Sequence, residues 1–262
     1  MDYSSQNANN PYFWAYMNYL FFHLGRYILM LKSTFSKPEN WKMYRIEVAR
    51  EMVNQGWGSM GIVIFISIFL GMGAAVQTSY QLVSGLVPIE VIGQITRDST
   101  IMILAPSITM LVLAGRVGSN IALQIGNMRV TEQIDALEIM GVNAPTFLVL
   151  PRIIAGEIML PVISIIGMFL SITGGYIAAV FGGLSSSTQF TNGLLKDFDS
   201  HTLVVGIIKL YIFSFIITSV SSYNGFYAQG GVADVGKTST RAVVYSCILI
   251  LFFDYLVAQI IL

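Results

Sequence analysis

Charged residues are scarce in this chain of 262 residues. Asp, Glu, Lys and Arg make up only 11% of the sequence, whereas a soluble globular domain contains about a quarter. Hydrophobic residues make up 55%, and the mean hydropathy is +0.69. This composition excludes an ordinary soluble domain and predicts an all-α polytopic membrane protein. The formal net charge of zero gives no indication of nucleic acid binding.

Residues that serve as nucleophiles and metal ligands are also few. The single cysteine, Cys247, excludes an intrachain disulfide, and the two histidines, His23 and His201, are too far apart for a metal-binding motif. The sequence contains no recognisable Ser/His/Asp set and no pair of carboxylates on one helical face. We therefore expect no catalytic residues, no metal site and no cofactor.

Long apolar segments predict the organisation of the chain. Five membrane-spanning helices are expected over about residues 57–83, 99–114, 145–181, 202–223 and 242–262. Pro151 and Pro161 are expected to divide the third apolar segment into a short entry helix and a span. Residues 1–56 are predicted to form N-terminal interfacial and amphipathic helices, and residues 57–262 the five-span domain. The aromatic segment 11–31 favours a helix lying at the membrane interface, and a true span is the alternative.

One segment between two spans, residues 114–141, is unusually rich in charge. From Met128 onwards it predicts a short amphipathic helix over about residues 128–141. Its apolar face comprises Val130, Ile134 and Leu137, and its acidic face comprises Glu132, Asp135 and Glu138. A polar helix between two spans must lie outside the bilayer, where a soluble partner can bind it.

The distribution of basic residues predicts the orientation. With the N-terminus inside, eleven of the 14 Lys and Arg residues lie in cytoplasmic segments. This bias predicts a cytoplasmic N-terminus, a C-terminus on the outer side, and a cytoplasmic position for residues 128–141.

Several polar residues in apolar or linker segments allow a functional interpretation. Gly231 to Thr238 satisfy the phosphate-loop pattern G-x-x-x-x-G-K-[ST], but a membrane span precedes them where that loop requires a β-strand. We therefore expect no nucleotide there. Glu157, Lys209 and Asp254 lie in predicted spans, and structural roles are expected for them. Gln77 has two open interpretations, a hydrogen bond to a neighbouring helix and a contact with a lipid headgroup.

Three stretches, residues 114–142, 147–156 and 230–256, carry a family resemblance. Their sequences, which include MRVTEQIDALEIMG, FLVLPRIIAG and VGKTSTRAVV, resemble the MlaE (YrbE-type) permeases. These are the membrane subunits of lipid-transporting ABC systems that are associated with MCE-domain proteins. The resemblance extends from about Met60 to the C-terminus.

The resemblance implies a homodimeric inner-membrane permease that moves lipids, such as phospholipids, and performs no catalysis itself. A cytoplasmic ATPase subunit supplies the energy, and an MCE-domain protein lies on the outer face. The implied ATPase-coupling residues are Glu132, Gln133, Asp135, Ala136, Leu137, Met140 and Gly141. The implied lipid-cavity residues are Gln77, Tyr80, Leu82, Met102 and Ile103.

The sequence departs from the family pattern at the cavity. Members commonly have an Arg-Glu pair where this chain has Met102 and Ile103, and a Glu where it has Gln124. The departures predict a more apolar cavity, with Arg97 and Asp98 as candidate replacements for the missing charges. An ion-driven secondary transporter, an intramembrane lipid-modifying enzyme and a membrane scaffold are the alternative functions.

Overall fold

The computed structural model describes residues 11–36, 41–81 and 88–261, and this part of the chain is helical with no strand. The helices are α1 Pro11–Thr34, α2 Trp41–Gln81, α3 Val91–Val130, α4 Gln133–Ile139, α5 Ala144–Phe181, α6 Ser187–Leu195, α7 Ser200–Phe226 and α8 Val232–Ile261. The predicted fold class, an all-α polytopic membrane protein, is confirmed.

Helices α2, α3, α5, α7 and α8 are long and apolar enough to cross a membrane. Helices α2, α3 and α5 contain 38 to 41 residues. At 1.5 Å per residue they are about 57–62 Å long, which exceeds the roughly 30 Å of a hydrocarbon core. These three helices therefore extend well beyond the bilayer on at least one side.

The helices continue through several predicted boundaries. The predicted amphipathic helix after Trp41 and the first span form one continuous helix, α2. The predicted division at Pro151 and Pro161 is wrong, because both prolines lie inside the unbroken helix α5. Each proline removes one backbone hydrogen bond, whereas a break within lipid would leave several backbone groups without partners.

Close packing between α2 and α5 forms the most extensive helix–helix contact of the described chain. Gly71 of α2 lies against the carbonyl oxygen of Ser171, and Gly174 of α5 lies against that of Ile68. A Cβ atom at either glycine would overlap these backbone atoms. The two glycines thus allow the helix axes to approach closely, as small residues do in membrane proteins.

The long helix α3 contains two π-helical segments, Thr100–Thr109 and Ala114–Gly118. Pro106 lies in the first and has no N–H to donate to the preceding turn. In the same segment, the carbonyl of Met102 accepts a hydrogen bond from Nζ of Lys209 at 3.2 Å. A side chain from α7 thus contacts the backbone of α3 within the π-helical segment.

The charged segment differs from its prediction, because α3 continues to Val130 and α4 begins only at Gln133. Residues 114–130 are therefore part of a membrane-spanning helix, and Ala114, Ile121 and Ile125 are fully buried. Glu132 separates the two helices with a left-handed backbone, φ +59°. The single predicted helix over 128–141 is thus wrong, and a sharp turn orients α4 independently of α3.

The linker before the last span is shorter than predicted. Helix α8 begins at Val232, so most of the segment that matches the phosphate-loop pattern is helical. A phosphate loop requires an extended turn after a strand, and the helical backbone is inconsistent with that geometry. The segment between the third and fourth predicted spans contains α6, whose N-terminus has a capping box made by Ser186 and Gln189.

Candidate functional site

Helix α4 is held against the membrane helices on one side. Ile134 is fully buried in the main core, and Leu137 is half-buried against it. Nη1 of Arg129, in the last turn of α3, forms an ion pair with Oδ1 of Asp135 at 2.6 Å. The apolar contacts and this ion pair together fix the direction of α4 relative to α3.

The other side of α4 and the turn after it are open to solvent. The exposed residues include Glu132, Gln133, Ala136, Met140 and Gly141 of the predicted coupling set. Ile139 is 87% exposed and Met140 is 67% exposed. These two adjacent apolar side chains therefore lie outside the protein's own core. Ile139 is absent from the predicted coupling set.

The predicted face assignment is only partly correct. The apolar face of Ile134 and Leu137 packs on the protein's own helices, so it is not available to a partner. Asp135 is half-buried and paired with Arg129, which makes it a residue that positions α4. Among the acidic residues of α4 and its turn, Glu132 and Glu138 remain exposed without an ion-pair partner in the described chain.

The predicted cavity residues lie on two helices. Gln77 and Tyr80 are exposed on α2, and Tyr80 is 75% exposed. On α3, Ile103 is 56% exposed and Met102 is half-buried. Leu82 lies outside the described residues. Of the described members of this set, Gln77, Tyr80 and Ile103 are thus exposed in the single chain.

An ion pair lies where α3, α7 and α8 meet. Nζ of Lys209 lies 2.8 Å from Oδ1 of Asp254, and Oγ of Ser107 donates to Oδ2 of the same carboxylate at 3.0 Å. The Lys209 side chain is 3% exposed and that of Asp254 22%. The two charges therefore neutralise each other inside the bundle, as expected for structural residues, and Lys209 does not extend to a surface.

A second buried ion pair links α2 and α5. Nε of Arg152 lies 3.2 Å from Oε1 of Glu51, and both side chains are 5% exposed. Nη2 of Arg152 donates to Oε1 of Gln124 at 3.3 Å, and Nη1 donates to the carbonyl of Leu148. Because Glu51 already neutralises Arg152, Nη2 of Arg152 needs only a hydrogen-bond acceptor. The neutral amide of Gln124 provides one. The departure from the family pattern at position 124 is therefore compatible with a stable helix contact.

Arg97 and Asp98 do not replace the missing cavity charges. The side chain of Arg97 is 4% exposed and donates to the carbonyl oxygens of Leu194 and Lys196 at 2.6 and 2.9 Å. Its Nε also pairs with Asp98 at 2.8 Å. Arg97 thus binds the C-terminal carbonyls of α6, and its guanidinium is occupied by protein groups.

A polar groove of about 610 Å³ lies between α2 and α3. Its wall includes the exposed residues Asn54, Arg116 and Asn120. Arg116 has no ion-pair partner within the described residues, and it lies in the second π-helical segment. The sequence shows Arg116 as part of the charged segment, but only the structure shows that it faces a groove between spans.

No group of three or more His, Cys, Asp or Glu residues in residues 11–36, 41–81 and 88–261 is arranged to bind a metal ion. The prediction that the chain needs no cofactor stays a prediction.

Comparison with known proteins agrees with this geometry. The profile of the family described as Permease MlaE matches residues 48–260. The chain belongs to the MlaE permease family. The match contains the whole of α3, α4, α5, α6 and α7 and almost all of α8. The resemblance inferred from the sequence is thereby confirmed, and the chain is assigned to a permease family on evidence that is independent of its topology.

Relatives with curated names cover most of this member of the MlaE permease family. A probable ABC transporter permease protein of Rickettsia prowazekii is 34% identical over 227 residues, which are 87% of this chain and 86% of the relative. The intermembrane phospholipid transport system permease protein MlaE of Haemophilus influenzae is 29% identical over 239 residues, 90% of this chain and 91% of the relative. The chloroplastic protein TRIGALACTOSYLDIACYLGLYCEROL 1 of Arabidopsis thaliana is 28% identical over 83% of this chain and 62% of its own length.

Proposed function

We propose that the chain is the non-catalytic permease subunit of an ABC transporter in the inner membrane. It moves phospholipids between that membrane and an MCE-domain protein, and a separate cytoplasmic ATPase subunit supplies the energy. The proposal is supported by the family and by the names of the relatives, one of which is an intermembrane phospholipid transport system permease protein. The N-terminus and α4 lie on the cytoplasmic side, and the C-terminus lies on the outer side, as the basic residues indicate.

The observation that carries this proposal is the exposed surface of α4. This helix connects α3 and α5, two of the longest helices, and it presents Glu132, Ile139 and Met140 to solvent. We assign this surface to the ATPase subunit, with Ile139 and Met140 as apolar anchors and Glu132 as a partner for a basic residue. A movement of the bound ATPase would then be transmitted through the Arg129–Asp135 ion pair to α3.

The lipid cavity is proposed at an interface between two copies. Gln77 and Tyr80 of α2 and Ile103 of α3 are exposed in a single chain. Helix α2 is also one of the two least buried of the five spans, since only 28% of the residues in its most apolar stretch are buried. A second copy would cover these residues and enclose a lipid between the two chains. Leu82 and Met102 stay within the proposed cavity set.

Substitution of Glu132 by Lys tests the ATPase assignment. The variant should lose capture of the ATPase subunit when the tagged chain is purified from native membranes, while its thermal unfolding in detergent stays unchanged. Glu90→Lys at the other end of the bundle is the matched control, since Glu90 is only loosely paired with Lys196 at 4.0 Å. If Glu132→Lys still captures the ATPase with normal lipid-stimulated ATP hydrolysis, the docking surface is assigned wrongly.

The ion-driven secondary transporter receives less support than the ABC permease. Such a transporter requires titratable groups that exchange ions near the middle of the membrane. Of the candidates, Asp254 is already neutralised by Lys209 at 2.8 Å. A lipid-modifying enzyme would require a catalytic set of side chains, and the names of the relatives refer to permeases.

A further inference from the structure

A groove of about 580 Å³ lies at the end of the bundle that carries α4. It is enclosed by α1, α4, the first residues of α5 and the last residues of α7. Its wall combines the polar or charged residues Arg26, Arg129 and Glu138 with Leu29, Met30 and Tyr227. The proposed transport function uses Arg129 through its ion pair with Asp135, but it gives no role to Arg26 or Glu138.

Helix α1 forms the outer wall of the groove because it is attached to the bundle at two places. Near its middle, the hydroxyl of Tyr27 donates to Oγ of Ser219 on α7 at 2.8 Å. Near its C-terminus, Oγ of Ser33 donates to Oδ1 of Asn143, the residue that caps α5, at 3.1 Å. Between these attachments, α1 crosses the end of the bundle beside α4.

The outward face of α1 is apolar. Five large apolar side chains of this helix are each more than half exposed, namely Phe21, Phe22, Leu24, Ile28 and Leu29. Leu29 is 66% exposed and also lines the groove. A helix with this surface is suited to the boundary between headgroups and acyl chains. The groove thus opens directly beside a surface that acyl chains can cover.

The charges in the groove are not neutralised by one another. Arg26 lies over the ring of Tyr227, with Cζ 3.8 Å from the ring centroid. Within the described residues, neither Arg26 nor Glu138 has a partner of opposite charge at ion-pair distance. Arg129 is neutralised by Asp135. In the described part of the chain, one cation and one anion that lack an ion-pair partner therefore line the same groove, which matches a ligand that carries both charges.

We propose that this groove binds the headgroup of a zwitterionic phospholipid with a primary ammonium group, a phosphoethanolamine lipid. Arg26 binds the phosphate through its planar guanidinium, Glu138 binds the ammonium, and the acyl chains lie along Leu29 and the apolar face of α1. The lipid comes from the leaflet on the side of α4 and is distinct from any transported lipid. It links α1 to α4 and holds the coupling helix at the membrane surface.

A photoreactive amino acid at position 29 tests this proposal on the full chain. The chain is reconstituted in nanodiscs with equimolar phosphatidylethanolamine and phosphatidylglycerol of identical acyl chains, and the cross-linked lipids are identified by mass spectrometry. Phosphatidylethanolamine should exceed phosphatidylglycerol about three- to fivefold, the effect of one partly exposed ion pair. Position 103, in the proposed transport cavity, serves as a second reporter. Its lipid yield should not depend on the groove residues.

Four variants distinguish lipid binding in the groove from a non-specific effect of surface charge. Arg26→Gln should reduce the lipid yield at position 29 about tenfold, because a charge-assisted phosphate contact is lost. Glu138→Gln should abolish the preference for phosphatidylethanolamine. The controls Arg50→Gln and Glu47→Gln remove an exposed ion pair outside the groove and should change neither quantity.

Two results would overturn the proposal. One is an unchanged lipid yield and an unchanged preference in Arg26→Gln and Glu138→Gln. The other is a cross-link from position 29 to a protein subunit in native membranes, which would assign the groove to a protein interface. Neither result depends on whether the chain transports lipid, so the proposed function can fail or hold independently.

Discussion

At the scale of single residues, two buried cations of the described chain, Arg152 and Lys209, are paired across helices. Arg152 pairs with Glu51 at 3.2 Å, and Lys209 pairs with Asp254 at 2.8 Å. In each pair, at least one side chain is 5% exposed or less. Loss of one partner would leave a charge in an apolar interior, which costs far more than the pair itself contributes.

The first prediction concerns moving the carboxylate that neutralises Arg152 from position 51 to position 124. Glu51→Gln should lower the free energy of unfolding by about 3 kcal/mol, because Arg152 is left buried without a counter-charge. Adding Gln124→Glu should recover most of this loss, since Oε1 of residue 124 already lies 3.3 Å from Nη2 of Arg152. Denaturation in mixed detergent micelles measures both values. If the double variant is less stable than Glu51→Gln alone, Gln124 is not an interchangeable acceptor.

The ion pair of Lys209 provides the second prediction. Lys209→Met should destabilise the protein by about 3 kcal/mol, because it leaves Asp254 unpaired and the carbonyl of Met102 without its donor. The double variant Lys209→Met/Asp254→Leu should be more stable than Lys209→Met, since no buried charge remains. Thermal unfolding of the purified variants gives the comparison. Equal stability of the two variants would show that an unpaired Asp254 does not destabilise the protein, which contradicts the prediction.

At the scale of elements, the decisive feature is the turn between α3 and α4. Its left-handed residue, Glu132, and the ion pair between Arg129 and Asp135 set the direction in which α4 points. Both features lie outside the close-packed core, because Arg129 and Asp135 are 35% and 46% exposed. The turn can therefore be altered with little effect on folding.

Reversal of the Arg129–Asp135 pair is the third prediction. Asp135→Arg should impair capture of the ATPase subunit through repulsion from Arg129, while global stability changes by less than about 1 kcal/mol, as is typical of exposed pairs. The double variant Arg129→Asp/Asp135→Arg should restore capture, because it re-forms the ion pair with inverted sign. Failure of the double variant to restore capture would indicate that Asp135 itself contacts the ATPase.

The sequence is sufficient to predict five spans, because hydropathy is a sum over local residues. It is not sufficient to place helix ends, because packing decides them. Pro151 and Pro161 are accommodated inside α5. The left-handed backbone of Glu132 interrupts the helical periodicity that the sequence shows over residues 128–141. The exposure of Ile139 and the partner of Arg152, about one hundred positions earlier, depend on tertiary contacts. Local periodicity contains no information about either.

At the scale of the whole molecule, α4 and α6 lie at opposite ends of the bundle, because α5 leads away from α4 and ends before α6. The fourth prediction concerns their orientation. In a Cys247→Ala background, an impermeant maleimide added to intact spheroplasts should label Asn192→Cys, at the exposed surface of α6, and leave Gln133→Cys unlabelled. Permeabilised cells should show labelling of both positions. The reverse pattern in intact cells would invert the proposed topology.

The central claim is that α4 binds a separate ATPase subunit, and photo-cross-linking from its exposed apolar residue tests this most directly. A photoreactive amino acid is placed at Ile139, 87% exposed, or at Phe181, 84% exposed at the far end of α5. In native membranes, Ile139 should give a cross-linked product that mass spectrometry identifies as a nucleotide-binding ATPase subunit, and Phe181 should not. A cross-link to that subunit from Phe181, or none from Ile139 in a preparation that hydrolyses ATP, would contradict the assignment.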